Sequence, residues 1–471
     1  MQGTQTPPDH TGPGRSGAGG RGGFPAAAAR WLGGATVDRP AIDRSFDDLE
    51  VHQPASRRAY LLCAMVWCFF SLWPTTYVEW AGIPLIIGFV VQLIRTPRFF
   101  RPLLVQPLFI LAATYWAWQG ASLLWTPDLK LGLKQIGCAR WMWAIPALWP
   151  VMNRRRWLIA ALVSGYLAGN LSQLLHTVGV RLDLHALTWP RQPDRNSGWW
   201  DPVVGGTLLM GALGLHLPAA AFGAGRWRWI GAAGAAITIT AIFVTGTRGA
   251  WLAAAALVAI AAVAAVLAAP SRPRALSIAA VAFALMAAGV WFTAGESISR
   301  RFTTARDEVA AYFDRGEITS DTGTRLALAR WAIDAAVAHP FGGVGCGGFR
   351  AWARERWTDA PFQPPEGAGH AHAHNALLHA AATSGAPGAL LAMAVVLVAL
   401  RNARRARHEN SFNPYDQGPF WALLGLALVS AFDSIQVNSQ TSALFTTLLA
   451  LSPSVLPRAR GWAVGAPEVR A

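Results

Sequence analysis

The chain has 471 residues, a formal net charge of +15, 53% hydrophobic residues and only 14% charged ones. Soluble domains carry about 25% charged residues, so this composition excludes an ordinary soluble enzyme. Four cysteines, Cys63, Cys68, Cys138 and Cys346, three of them in apolar runs, exclude a disulfide-stapled secreted scaffold.

Residues 1–56 are rich in Gly, Pro and Arg and lack an apolar run, which predicts an unstructured tail and no cleaved signal. Residues 57–294 then hold nine apolar runs, near 59–77, 78–94, 107–125, 136–152, 157–178, 203–223, 229–245, 250–268 and 275–294. Each is long enough to cross a hydrocarbon core of roughly 30 Å as a helix rising about 1.5 Å per residue. The stretch 295–382 is too long for a simple connection and too polar for lipid, so short helices capping the bundle are expected there. Three further runs near 383–400, 419–435 and 441–457 fill residues 383–457, and a short tail, 458–471, follows. The predicted fold class is an all-α polytopic membrane protein with about twelve transmembrane helices.

Lys and Arg resist translocation and mark cytoplasmic loops. Arg57/Arg58, Arg95/Arg98/Arg101, Arg154/Arg155/Arg156, Arg226/Arg228, Arg272/Arg274, Arg401/Arg404/Arg405/Arg407 and Arg458/Arg460 fall before the first run, after every second run and after the last. Both termini are therefore expected in the cytoplasm, and cations beside anionic lipid account for the net charge without a nucleic-acid partner. Trp73, Trp80, Trp125, Trp149, Trp157, Trp199, Trp200, Trp229 and Trp251 lie near run ends and read mostly as an interfacial belt.

Three arginines lie on the opposite, outer face, where charge bias does not place them. Arg195 sits in Pro193-Asp194-Arg195-Asn196-Ser197-Gly198-Trp199-Trp200-Asp201-Pro202. Arg248 sits in the turn Thr245-Gly246-Thr247-Arg248-Gly249, with almost no loop between two runs. A guanidinium at that depth is costly unless it faces a polar cavity or an anion, the bland alternative being a snorkelling or helix-capping role. Arg325, in Asp321-Thr322-Gly323-Thr324-Arg325, reads equally as a ligand contact or a local ion pair. Fixed guanidiniums on one face suit a diphosphate, whose oxygens accept bidentate hydrogen bonds.

The densest cluster of titratable groups is His370-Ala371-His372-Ala373-His374-Asn375, followed by His379 and Gly385-Ala386-Pro387-Gly388. Three readings compete. A metal site can use His370 and His374 on one helical face, although no Glu or Cys stands at a familiar zinc spacing. A structural cap can use the His-Asn pair at a helix start. The favoured reading is a catalytic base, an imidazole near neutral pKa that takes the proton of an attacking hydroxyl.

These residues resemble the superfamily of O-antigen ligases and Wzy-type polymerases, bacterial membrane proteins that transfer glycans. The ligase signature, His then Asn, Ser or Gln, nine residues and GxxG, is met in full by His374-Asn375 and Gly385 to Gly388. Thr245 to Gly249 is similar to the family's TGSRG-like turn with Thr247 for Ser, and Arg195 to Pro202 to its Arg, Gly, aromatic, Pro pattern. Arg330-Trp331 through Pro340-Phe341-Gly342-Gly343-Val344-Gly345 is similar to the stretch before the family's histidine.

The resemblance implies a GT-C-like, metal-independent, inverting glycosyltransferase with no cofactor, acting at the periplasmic face of the inner membrane. The donor is then a glycan on undecaprenyl diphosphate and, in the ligase branch, the acceptor is a sugar hydroxyl of lipid A core. Carried over by residue, Arg195 and Arg248 hold the diphosphate and His374 is the base, with Arg325, Asn375 and Asp433 as further substrate contacts. A polymerase shares donor, topology and arginines and differs in acceptor. A protein O-oligosaccharyltransferase usually carries a sizeable domain after its last span, and a transporter is expected to place polar residues at mid-membrane and to show a repeated half.

Overall fold

The computed structural model describes residues 38–182, 196–358, 371–405 and 413–458. Its regular elements are all helical: α1 (Arg39–His52), α2 (Pro54–Phe70), α3 (Thr75–Arg95), α4 (Arg101–Leu104), α5 (Pro107–Ala121), α6 (Leu129–Ile136), α7 (Ala144–Leu148), α8 (Arg155–Arg181), α9 (Pro202–Phe222), α10 (Arg226–Val244), α11 (Arg248–Ala268), α12 (Arg272–Arg315), α13 (Asp321–Ala338), α14 (Phe349–Thr358), α15 (Ala376–Arg405), α16 (Gly418–Val429) and α17 (Ser439–Ala450). Six segments among the described residues are long and apolar enough to cross a membrane: Thr75–Arg95, Leu129–His176, Pro202–Phe222, Arg226–Val244, Arg248–Ala268 and Ala376–Arg405. A seventh is gained if Pro97–Leu104 and Pro107–Trp125, bent by 84° at their break, count as one span. The expected runs 136–152 and 157–178 share the segment Leu129–His176, 275–294 falls within the long α12, and the remaining three coincide with shorter helices. Helices α16 and α17 have 12 residues each, and α2 has 17. The chain is a multi-pass membrane protein, as its apolar runs require.

Helix α9 is apolar on every side and is accordingly the buried centre, packed by α10, α11, α16 and α17. The outer helices turn large apolar side chains outward, among them Ile83, Ile87 and Ile94 of α3 and Leu252, Val263 and Leu267 of α11. In a protein of this composition, lipid is the solvent for such faces. Helix α12 runs unbroken for 44 residues, about 66 Å at about 1.5 Å per residue. It therefore projects well past a hydrocarbon core of roughly 30 Å and passes straight through the expected boundary at residue 294.

Two expectations need correction. Residues 39–52, assigned by composition to the unstructured tail, form α1, because Ile42, Phe46 and Leu49 recur at helical spacing and are buried. Phe46 meets Phe99 and Trp149 edge-on, at 4.9 and 5.6 Å between ring centroids. Residues 1–37 of that tail lie outside the described residues. Several tryptophans read as belt residues are instead core residues. The indole N–H of Trp149 donates to the Phe99 carbonyl, that of Trp200 to Leu72 and that of Trp251 to Ile242. All three are buried, whereas Trp80 and Trp229 are exposed. Burial of an indole requires a partner for its one donor, and a carbonyl at a helix end supplies it.

One end of the bundle is locked by cations. Arg155 is fully buried and donates to the carbonyls of Leu451 (2.8 Å) and Asp416 (3.0 Å). Arg154 pairs with Glu50, and Arg156 with the Asp416 carboxylate at 2.7 Å. Arg57 donates to the Pro150 carbonyl and to Asn153. The opposite end carries the candidate site.

Candidate active site

His374 has φ +51°, the one positive value at a non-glycine position among the described residues. Such backbone costs about 1–3 kcal/mol and persists where its surroundings over-determine it. Here both flanks are pinned. The Asn375 side-chain oxygen accepts from the Leu378 N–H (2.9 Å), capping α15, while its amide donates to the Ala431 carbonyl (3.2 Å). The Ala376 N–H donates to Ser430 O (2.8 Å), and Gln436 donates to Ala376 O (2.8 Å). Upstream, Gln135 donates to Ala371 O at 3.0 Å. The capping reading of the His-Asn pair thus holds for Asn375, and the cap fixes where its neighbour His374 stands.

These bonds bring the segment after α16 against the histidines. A ring nitrogen from each of His372 and His374 and a carboxylate oxygen of Asp433 lie within 4.8 Å of one another, and the two imidazole centroids are 4.4 Å apart. Asp433 is buried; its Oδ2 accepts from Thr207 (3.2 Å) and its Oδ1 from the Ser434 N–H (2.8 Å). Burial raises its pKa above the ordinary carboxylate value, the two hydrogen bonds and Arg325 pull it back, and Asp201 adds to the rise. A carboxyl raised on folding loses stability as pH climbs past its unfolded value of about 3.9. Asp433→Asn, which keeps an acceptor for Thr207 and removes that charge, is therefore expected to melt at the same or a higher temperature at neutral pH. Thermal melting of the variant and the native chain across pH checks it.

Arg248 opens α11, with its side chain 26% exposed, and reaches Glu308 of α12 (3.3 Å) and Asp321 at the start of α13 (3.6 Å). Glu308 also accepts from the backbone and hydroxyl of Thr322, which ties α13 to α12. Arg325 lies in the same electrostatic neighbourhood: burial lowers its pKa, Asp321, Asp433 and Glu308 raise it, and Arg248 lowers it further. Arginine stays charged regardless. Its acidic neighbours include Asp433, which also stands by the histidines.

The two glycine motifs have structural work to do around this cluster. A side chain at Gly249 would place its Cβ 2.5 Å from that of Phe432, so the small residue after Arg248 lets the segment bearing Asp433 close onto the turn. Thr247 donates to the Pro202 carbonyl (2.8 Å), fastening the same turn to α9. Gly385, with φ +69°, breaks α15; there the Ala386 N–H donates to Pro340 O (2.7 Å) and the Trp118 indole to Ser384 O (2.8 Å). Gly385→Ala combines a left-handed backbone with a Cβ 2.5 Å from the Phe341 carbonyl. It is expected to cost at least about 1–2 kcal/mol and to lower Tm of the full chain in detergent.

A cavity of about 480 Å³ abuts the site, lined by Asn375, Ala431, Tyr115, Trp116, Val396 and Phe445 among others. Its walls are almost wholly apolar. Arg195 and His370 lie outside the described residues; Asn196, which follows Arg195, donates its N–H to Val244 O (2.9 Å), beside the Thr245 turn. The metal reading of the histidines paired His370 with His374, whereas the pair brought together is His372 with His374. Sequence reasoning missed Glu308, Asp321 and Thr207 as neighbours of the arginine and the carboxylate, because no motif spacing joins them.

Residues 233–393 match the family model described as O-antigen ligase, which bears out the superfamily resemblance. The matched stretch holds Arg248, Arg325, His374 and Asn375; Asp433 lies beyond it. No curated protein matches the chain.

Proposed function

From an O-antigen ligase-family domain set in a multi-pass membrane protein, we propose an O-antigen ligase. It is an inverting, GT-C-like glycosyltransferase that moves a glycan from undecaprenyl diphosphate to a sugar hydroxyl of lipid A core. The observation that carries this reading is the convergence of His374, Asp433, Arg325 and Arg248 beside an apolar cavity. An imidazole and a diphosphate-compatible cation cluster are what transfer from a lipid diphosphate needs, and the cavity suits the donor's isoprenoid tail.

The acceptor oxygen attacks the anomeric carbon of the donor sugar from the face opposite the diphosphate. That C–O bond forms as the bond to the phosphate oxygen breaks, which inverts the centre, and His374 takes the hydroxyl proton. Asp433 faces the imidazole and steadies the cation that results. The departing undecaprenyl diphosphate gains negative charge, which Arg248, with Arg195, compensates electrostatically in place of a divalent cation. Glu308 and Asp321 hold Arg248, so a diphosphate competes with these carboxylates for the guanidinium. The alternation of arginine-rich loops supports cytoplasmic termini and, with them, a site at the periplasmic face of the inner membrane.

The test is a deletion strain complemented with the wild-type protein, with surface glycans run on a gel and the undecaprenyl-linked pool extracted. Bare lipid A core with polymer accumulating on the carrier in the deletion, reversed by complementation, is the ligase result. Single repeat units on the core without a long ladder identify a polymerase of the same superfamily. Unchanged glycans leave a protein O-oligosaccharyltransferase or a lipid-linked glycan transporter to be tested.

A further inference from the structure

We propose that His372, His374 and Asp433 form a binding site for a single zinc-like divalent cation, and that its occupancy blocks transfer. The donor set is two imidazoles and one carboxylate drawn from two separate segments, with one ligand atom from each residue within 4.8 Å of the others. Ligand atoms about 2.1 Å from a tetrahedral zinc stand roughly 3.4 Å apart, so closure asks for a shift of about 1 Å or slightly more. The histidines stand on a short non-helical segment, residues 371–375, where side-chain rotation supplies such a shift.

The outer shell is already built. Thr207 and the Ser434 N–H each occupy one lone-pair direction on Asp433, which leaves acceptor capacity on both carboxylate oxygens and fixes the group's orientation. Asp433 is buried while His372 and His374 are partly exposed, so an ion reaches the cluster from the histidine side. Two nitrogen ligands and one oxygen select zinc and its late first-row neighbours over Mg²⁺ and Ca²⁺, which require mostly oxygen.

A cation here takes the imidazole lone pair that His374 uses to accept the hydroxyl proton. Metal and transfer therefore exclude each other. The inhibition half rests on the function proposed above; the binding half does not, and it is measured separately.

The full chain, freed of any affinity tag and stripped with chelator in lipid nanodiscs, is titrated with Co²⁺ by visible absorption and then with Zn²⁺ in competition. Equilibrium dialysis gives the stoichiometry. One ion per chain is expected, displaced by Zn²⁺ and not by Mg²⁺. His372→Ala and Asp433→Asn are each expected to weaken binding by about 100-fold or more. His339→Ala, which removes a histidine outside the donor set whose ring packs on Trp352, retains it. Size-exclusion profiles establish that the variants are folded, and His372→Asn gives a second, milder loss of the ligand. Absence of stoichiometric binding, or binding that survives both His372→Ala and Asp433→Asn, overturns the site. In the transfer assay Zn²⁺ is expected to inhibit with a midpoint that tracks its Kd, reversed by chelator. Transfer that is abolished by chelator and restored by Zn²⁺ overturns the inhibitory role, and so does full transfer by zinc-loaded protein.

Discussion

His374→Ala is expected to lower glycan transfer by about 10²- to 10⁴-fold, the range that a positioned general base contributes, while the donor still binds. The split follows from the contacts: the imidazole stands by Asp433 and His372, whereas Arg248 is held by Glu308 and Asp321. Alanine at φ +51° retains the backbone strain that the native residue bears. His374→Gly relieves that strain and still lacks the base, so equal losses in the two variants assign the effect to chemistry and not to a disturbed loop. Turnover and retention of a fluorescent polyprenyl diphosphate in nanodiscs are the two readouts. Full activity of both variants removes the base from the mechanism.

Arg248→Ala is expected to weaken donor retention and turnover together, with turnover down by about 10²- to 10³-fold, as for loss of one preorganised charge-stabilising donor. Arg248→Lys recovers only part, because an ammonium keeps the charge and loses the fork that grips two oxygens. The acidic neighbours give the sign of a second effect. If the diphosphate exchanges with Glu308 and Asp321 for the guanidinium, Asp321→Asn, at a largely exposed position, tightens donor retention. Unchanged retention in Arg248→Ala places the diphosphate elsewhere.

Helix existence was legible because the apolar runs are long and the bilayer demands internal satisfaction of every backbone group. Span lengths were less so. The chain near 107–125 is bent against its neighbour, and α16 and α17, which pack on α9, stop after 12 residues, because packing and not periodicity decides where helices in the interior end. Helix α1 escaped notice because Gly and Pro dominate its surroundings, although Ile42, Phe46 and Leu49 carry the signal. At the site, the HN-x9-GxxG spacing marked both the strained His374 and the Gly385 break. What it did not reveal is Asp433 at the imidazoles, or Glu308 and Asp321 at Arg248. Those pairings are made by tertiary contacts such as Asn375 to Ala431 and Gly249 to Phe432, and local sequence holds no record of them.

The cluster Arg154, Arg155 and Arg156 reads in sequence as a sign of membrane orientation, yet in the fold none of the three serves only lipid. Arg154 needs Glu50 of α1, Arg155 needs the end of α17, and Arg156 needs Asp416. Those partners lie before and after the arginines in the chain, Leu451 being 296 residues beyond Arg155. A segment threaded the wrong way leaves three guanidiniums without these acceptors, at a cost far above that of an exposed ion pair. Cations that the sequence offers as an orientation signal are thus also bound by acceptors from both flanks, so a reversed segment is incompatible with the finished packing.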